Sequence, residues 1–140
     1  MSDTSIIHAL LASNAALTAL VPTERIRIGT IPQGTVLPAI LISTVSSNDR
    51  QRVADNNKPI LITARTEVTV LAKNYQDQRK AIDLIGKAIR GGRRMVGGVL
   101  VASIRTDIVG PDMHDKPLDI YMQSRDFQVV YYGSRAPAPE

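Results

Sequence analysis

The chain has 140 residues, 44% hydrophobic and 21% charged, proportions that suit one globular domain able to bury a core. It contains no cysteine, which excludes disulfides and thiolate metal sites, and its longest apolar runs, such as residues 38–42, fall far short of the roughly 20 residues that a membrane helix requires. The net charge of +4 is local: Lys87, Arg90, Arg93 and Arg94 have no acid among them, and the remaining basic residues equal the acids in number.

The N-terminus lacks the basic start of a signal peptide, so a cytoplasmic-type soluble protein is expected. Residues 5–20 are rich in alanine and leucine, with Ile6, Ile7, Leu10, Leu11, Leu17 and Leu20 on one side, and predict a helix capped by Thr4 or Ser5. Ser13 and Asn14 form helices poorly but cap them well, so two short helices over 4–12 and 15–21 are as well supported as one continuous helix; Pro22 ends either. His8 has no partner at metal-binding spacing and reads as a surface or half-buried helix residue.

Residues 25–28 alternate Arg, Ile, Arg, Ile and predict a short strand, followed by a loop punctuated by Gly29, Pro32, Gly34 and Pro38. A second strand, apolar on both faces, is expected over 39–45. Residues 46–58, SSNDRQRVADNNK, hold one valine among small polar and charged side chains, and such a stretch predicts a mobile functional loop between antiparallel strands.

Residues 60–73 alternate strictly. Thr63, Arg65, Glu67 and Thr69 take one face and Ile62, Ala64, Val68 and Val70 the other, with Thr66 the one polar interruption of the dry face. The period then changes: Ala81, Ile82, Ile85, Ala88 and Ile89 make a helical stripe that Asn74 can cap, that Asp77 supports, and that Gly91 and Gly92 end. Residues 95–108 predict a strand with Leu100, Ala102, Ile104, Thr106 and Ile108 on one face, Val99, Val101, Ser103, Arg105 and Asp107 on the other, and a bulge or turn at Gly97-Gly98. A loop over 109–118 leads to a last strand over 119–133, in which Phe127, Val129 and Tyr131 oppose Asp126, Gln128, Val130 and Tyr132.

The expected architecture is α+β: a mainly antiparallel sheet with helices packed on one face, in the order α-β-β-β-α-β-β. It forms one domain over residues 1–133, with a disordered tail over 134–140. The helix stripe should pack on Ile62, Val68, Val70, Leu100, Ala102, Ile104, Phe127 and Val129.

No residues assemble into an enzyme. There is no nucleophile elbow, and the run Gly92 to Gly98 resembles a phosphate loop only superficially, because it follows a helix and lacks the Lys-Ser/Thr ending. Asp112, His114, Asp115 and Asp119 read as solvated loop residues more readily than as metal ligands, and no cofactor is expected. The cations at 87–94 suit a helix C-terminus; their sharper reading is contact with nucleic acid, and a small basic nucleic-acid-binding α+β module is the alternative function.

The sequence resembles the tail terminator, or tail-completion, proteins of long-tailed bacteriophages and phage-like particles. The resemblance is carried by Ile6-Ile7-His8-Ala9-Leu10-Leu11, the Ala15 to Val21 run, Arg25-Ile26, Ile31-Pro32-Gln33-Gly34 leading to Leu37-Pro38-Ala39-Ile40, the strand from Thr63 to Val70 with Asn74-Tyr75, and Arg125-Asp126-Phe127-Gln128-Val129. It implies a non-enzymatic virion protein, assembled in the host cytoplasm, that forms a homohexameric ring at the head-proximal end of the tail tube. There it would stop polymerisation of the tail tube protein and dock the head-completion protein of the connector. DNA would pass through without sequence-specific binding, and no membrane would be involved. Side-by-side contacts should use the sheet edges and outward apolar groups such as Val99, Val101, Val130 and Tyr132. The candidate interface residues are Arg50, Arg52, Arg65, Glu67, Arg93, Arg94, Arg105 and Asp107, with the loop over 46–58 reaching a neighbour, the tube or the channel.

Overall fold

In the computed structural model of the chain, residues 2–50, 60–89 and 92–133 are described. The N-terminal segment breaks into two helices, α1 (Asp3–Ala12) and α2 (Ala15–Leu20). The break falls where Asn14 turns its side chain onto the Leu17 N–H at 2.9 Å and so caps the second helix. After a 3-10 turn, Thr23–Arg25, come strands β1 (Ile26–Ile28), β2 (Ala39–Arg50) and β3 (Ile60–Ala72), then helix α3 (Tyr75–Ala88). Asn74 caps α3 by accepting from the Asp77 N–H at 2.8 Å. Four strands follow: β4 (Arg94–Val96), β5 (Val99–Val109), β6 (Met113–Asp115) and β7 (Ile120–Gly133).

The strands form one sheet in the order β1-β2-β3-β7-β5-β4, with β6 also pairing β7. The three helices lie on one face, where Ile6, Ile7, Leu10, Leu11 and Leu17 join Ala81, Ile82, Ile85 and Ile89 over Ile40, Ile42, Val68, Val70, Phe127 and Val129. This is the expected two-layer α+β arrangement. Thr66 is fully buried, and its place on the dry face has a cause: its hydroxyl donates to Asp3 Oδ2 at 2.7 Å, and the Thr44 hydroxyl donates to the same oxygen at 2.8 Å. The first turn of α1, where a carboxylate also favours the helix dipole, is thereby fixed to β2 and β3.

Several expectations are corrected. β1 pairs β2 in parallel, not antiparallel, because residues 29–38 carry the chain back before β2 begins. Residues 46–50 are strand rather than loop: they pair with 61–65 after a bulge at Val45, so backbone pairing orders a stretch whose side chains bury little. The remainder of that segment, 51–58, lies outside the described residues, as does the tail over 134–140. The strand over 95–108 is a hairpin, β4 and β5, turning at Gly97-Gly98 with φ of 54° and 83°, the positive pair that a two-residue turn of matching twist demands.

Within β5 a register shift between Val101 and Ser103 moves every earlier side chain to the opposite face. Val101 is therefore fully buried with Ile104, whereas Leu100 and Ala102, expected in the core, are only half-buried. Val99 likewise packs against the core instead of facing outward. The connecting loop over 109–118 contains β6, which continues the β5 side of β7 after an excursion at residues 110–112.

Ile85 is fully buried in the middle of this core. Replacing it with alanine should lower the unfolding free energy measured with denaturant by about 2 to 5 kcal/mol. Asp3→Ala should cost about 1 to 3 kcal/mol, because it strands the buried Thr66 hydroxyl, and adding Thr66→Val should recover much of the loss.

Candidate functional site

The face of the sheet opposite the helices carries the predicted polar side chains. Cross-strand register lines up Ser46, Arg65, Gln128 and Arg105 in one row and Ser43, Glu67 and Asp126 in the next. Arg65 Nη2 lies 3.0 Å from Asp126 Oδ2, and its Nε stands 3.1 Å from that oxygen and 3.4 Å from Asp107 Oδ2. The Arg105 Nε donates to Gln128 Oε1 at 2.6 Å, and Glu67 accepts from the Thr69 hydroxyl at 3.3 Å. Ser46, Asn48, Thr63, Arg65, Arg105 and Asp107 surround a hollow of about 320 Å³ on this face.

Arg65, Glu67, Arg105 and Asp107 are thus gathered on one surface, and Arg65 pairs with Asp107 inside the subunit. With Arg65 35% and Asp107 45% exposed, that contact is worth at most about 1 kcal/mol. Asp126 and Gln128 hold the two arginines in place. Their role had a sequence signal, since alternation sets both opposite Phe127 and Val129, but only the register shows which neighbour each meets. Arg93 and Arg94 are elsewhere, at the start of β4 on the far side of β5. Arg50 ends β2, and Arg52 lies outside the described residues.

A second polar group sits where the first turn of α3 meets β7. Tyr75 and Gln78, one helical turn apart, both reach Asp112: the hydroxyl donates to Oδ2 at 2.9 Å and the amide to Oδ1 at 2.8 Å. Gln78 also donates to Gln123 Oε1 at 3.1 Å, and Gln123 donates to the Gly110 carbonyl at 2.9 Å. Gln78 is fully buried, and its Oε1 has no hydrogen-bond partner. His114 stacks on Tyr121, with ring centres 4.2 Å apart, and its Nε2 is 2.9 Å from Asp119 Oδ1. Asp112 and His114 therefore face different partners, and no group of three or more potential metal ligands converges among the described residues. His8, half-buried, donates to the Ile26 carbonyl at 3.2 Å.

The Tyr75 hydroxyl is held above its ordinary pKa of 10.0, first by its hydrogen bond to the Asp112 carboxylate, then by desolvation, then by the charge of Asp112, with Arg79 opposing. A pKa raised on folding gives stability that is complete below the unfolded value and is lost as pH rises through the folded one. In a spectrophotometric titration, the tyrosine signal removed by Tyr75→Phe should therefore appear above pH 10.0. Ionisation of that signal below this pH would contradict the bond to Asp112.

Residues 5–105 match the family of the tail completion protein gp17. The fold is similar to that of a chain in the virion of a native gene transfer agent particle, with a TM-score of 0.68 at 13% identity, over 94% of this chain and 96% of that one. No curated protein sequence matches the chain. Among the described residues, no helix is long and apolar enough to cross a membrane.

Proposed function

The chain belongs to the tail completion protein gp17 family, and from that premise we propose that it caps the head-proximal end of a phage or phage-like tail tube. Tail completion proteins are structural components of virion tails, and the match, which runs from α1 into β5, is the observation that carries the reading. In the proposed role, copies of the single 1–133 domain close into a homohexameric ring, end polymerisation of the tube protein, and present a face to the head-completion protein of the connector.

DNA would then pass through the ring and meet it without sequence-specific contacts. Arg50, at the end of β2, Arg52, two residues further along the chain, and Arg93 and Arg94, at the start of β4, are the cations proposed to face either that DNA or acidic groups of the partners. On the open face, Arg65, Glu67, Arg105 and Asp107 are the polar groups proposed for subunit and partner contacts, with Asp126 and Gln128 orienting the arginines. The exposed apolar side chains Tyr132 and Met95, at 36% and 63%, support contacts that are partly hydrophobic.

Particles made without this chain should carry tails of uncontrolled length that fail to join heads, and supplying the chain should restore both. A six-membered ring is expected by electron microscopy of the protein alone or on isolated tails. It should persist as salt is raised, because contacts of mixed apolar and main-chain character are screened little. Normal, head-joined tails in the absence of the chain would overturn the role.

A further inference from the structure

The sheet ends in two unlike edges, each left open over nearly the same length. β1 covers β2 only from Ile40 to Ile42, and the Gly29 N–H closes that pairing on the Ile42 carbonyl at 2.9 Å. Beyond it, residues 43–50 have β3 on one side and, among the described residues, no strand on the other. On the opposite side of the sheet, β4 covers β5 only from Val99 to Val101. Residues 103–109 then have β7 on one side and, among the described residues, no strand on the other. Unpaired edges of this length offer main-chain donors and acceptors to another strand, and soluble proteins ordinarily guard them with charge or proline. Here they carry charged residues, Asp49 and Arg50 on one edge and Arg105 and Asp107 on the other, and also exposed β-branched side chains: Val45 at 53%, Ile108 at 51% and Val109 at 44%.

We propose that these edges join neighbouring copies of this chain, residues 43–50 of one copy pairing with residues 103–109 of the next. The polarity of the sheet favours a second copy over a foreign strand. β2, β3, β7 and β5 alternate in direction, since every ladder between them is antiparallel, so β2 and β5 run oppositely. A β5 edge set beside the β2 edge of a copy held in the same orientation therefore continues the antiparallel pattern without interruption. One bulge lies in each edge, at Val45 and at Asp107, and twists it away from a flat strand. Such edges resist casual pairing and suit a partner that is always presented in one orientation. The contact is head-to-tail, using two different surfaces of each copy, which is the kind that closes into a ring when the rotation per copy completes a circle. This inference rests on the ring reading above and specifies which surfaces make the ring.

Because the chain has no cysteine, the contact can be tested by placing pairs of them. One cysteine goes into the first edge, as Ser47→Cys or Asn48→Cys, and one into the second, as Ser103→Cys or Thr106→Cys. The four double variants are compared with their single-cysteine parents under mild oxidation, in solution and bound to tail tubes. At least one double variant should give a covalent ladder extending past the dimer, while the single variants remain uncrosslinked. Rings seen by electron microscopy with no ladder from any double variant would overturn the edge pairing and leave the ring reading intact. Dimers from a single β5 variant without a ladder would overturn the head-to-tail arrangement, and the absence of any assembly, free or on tubes, would overturn both readings. Hydrogen exchange on the unmodified chain guards against variants that misfold: amides in 43–50 and 103–109 should slow together on assembly, and unchanged exchange at both edges would reject the pairing.

Discussion

The ladder between β3 and β7 is the constraint from which the rest of the fold follows. It runs from Ile60 opposite Gly133 to Ala72 opposite Tyr121 without a register shift, whereas the ladders on either side of it, β2–β3 and β5–β7, each contain bulges. This uninterrupted pairing sets Ala64 beside Val129, Thr66 beside Phe127 and Val68 beside Arg125 on the helix face, and a slip of one residue would turn all of them to the opposite side. Bulges can be absorbed by the outer strands because the centre is fixed.

The same register accounts for an arginine and a glycine that look misplaced. Arg125 falls on the helix face, where its guanidinium lies 5.8 Å from the centre of the Phe127 ring and Nη1 points at the Ile82 carbonyl, 3.5 Å away. Gly86 leaves room for it: a Cβ there would stand 2.5 Å from Nη1. A glycine inside a helix costs about 1 kcal/mol relative to alanine, and the close approach of Arg125 is the compensating use of that space. The buried polar groups act in a related way. Asp3 with Thr44 and Thr66 pins α1 to the sheet, and Gln78 with Asp112 and Gln123 pins the start of α3, so these two helices are held by directional bonds as well as by apolar contact.

This layout separates stability from contact. The helix face holds the core, while the open face and the two sheet edges carry exposed polar and β-branched side chains. The chain belongs to the tail-completion family, whose members are structural components of virions, and surfaces of this kind suit such a role. At 13% identity the chain of the gene transfer agent virion shares the fold but few side chains, so the contacts of this chain are set by its own residues.

The sequence by itself located the helical segments and the centres of the long strands, because periods of two and of 3.6 are local and Asn74 marks the start of α3 chemically, while it left open whether the first helix breaks at Asn14 and whether Gly97-Gly98 form a bulge or a turn. It also determined that Arg65 and Glu67 share the wet face of β3 and that the helix stripe from Ala81 to Ile89 needs a sheet to cover. It had no means of placing the bulge after Val101, which exchanged Leu100 and Ala102 for Val101 in the core, since an extra residue in one strand is visible only against its partner. Composition likewise misread residues 46–50, because pairing with 61–65 engages one edge of their backbone whatever their side chains bury. Only the tertiary structure decided the contacts of Thr66 with Asp3, of Arg65 with Asp107 and Asp126, and of Gln78 with Asp112. Those residues are 63, 42, 61 and 34 positions apart, a separation at which the chain carries no local trace of which donor will meet which acceptor.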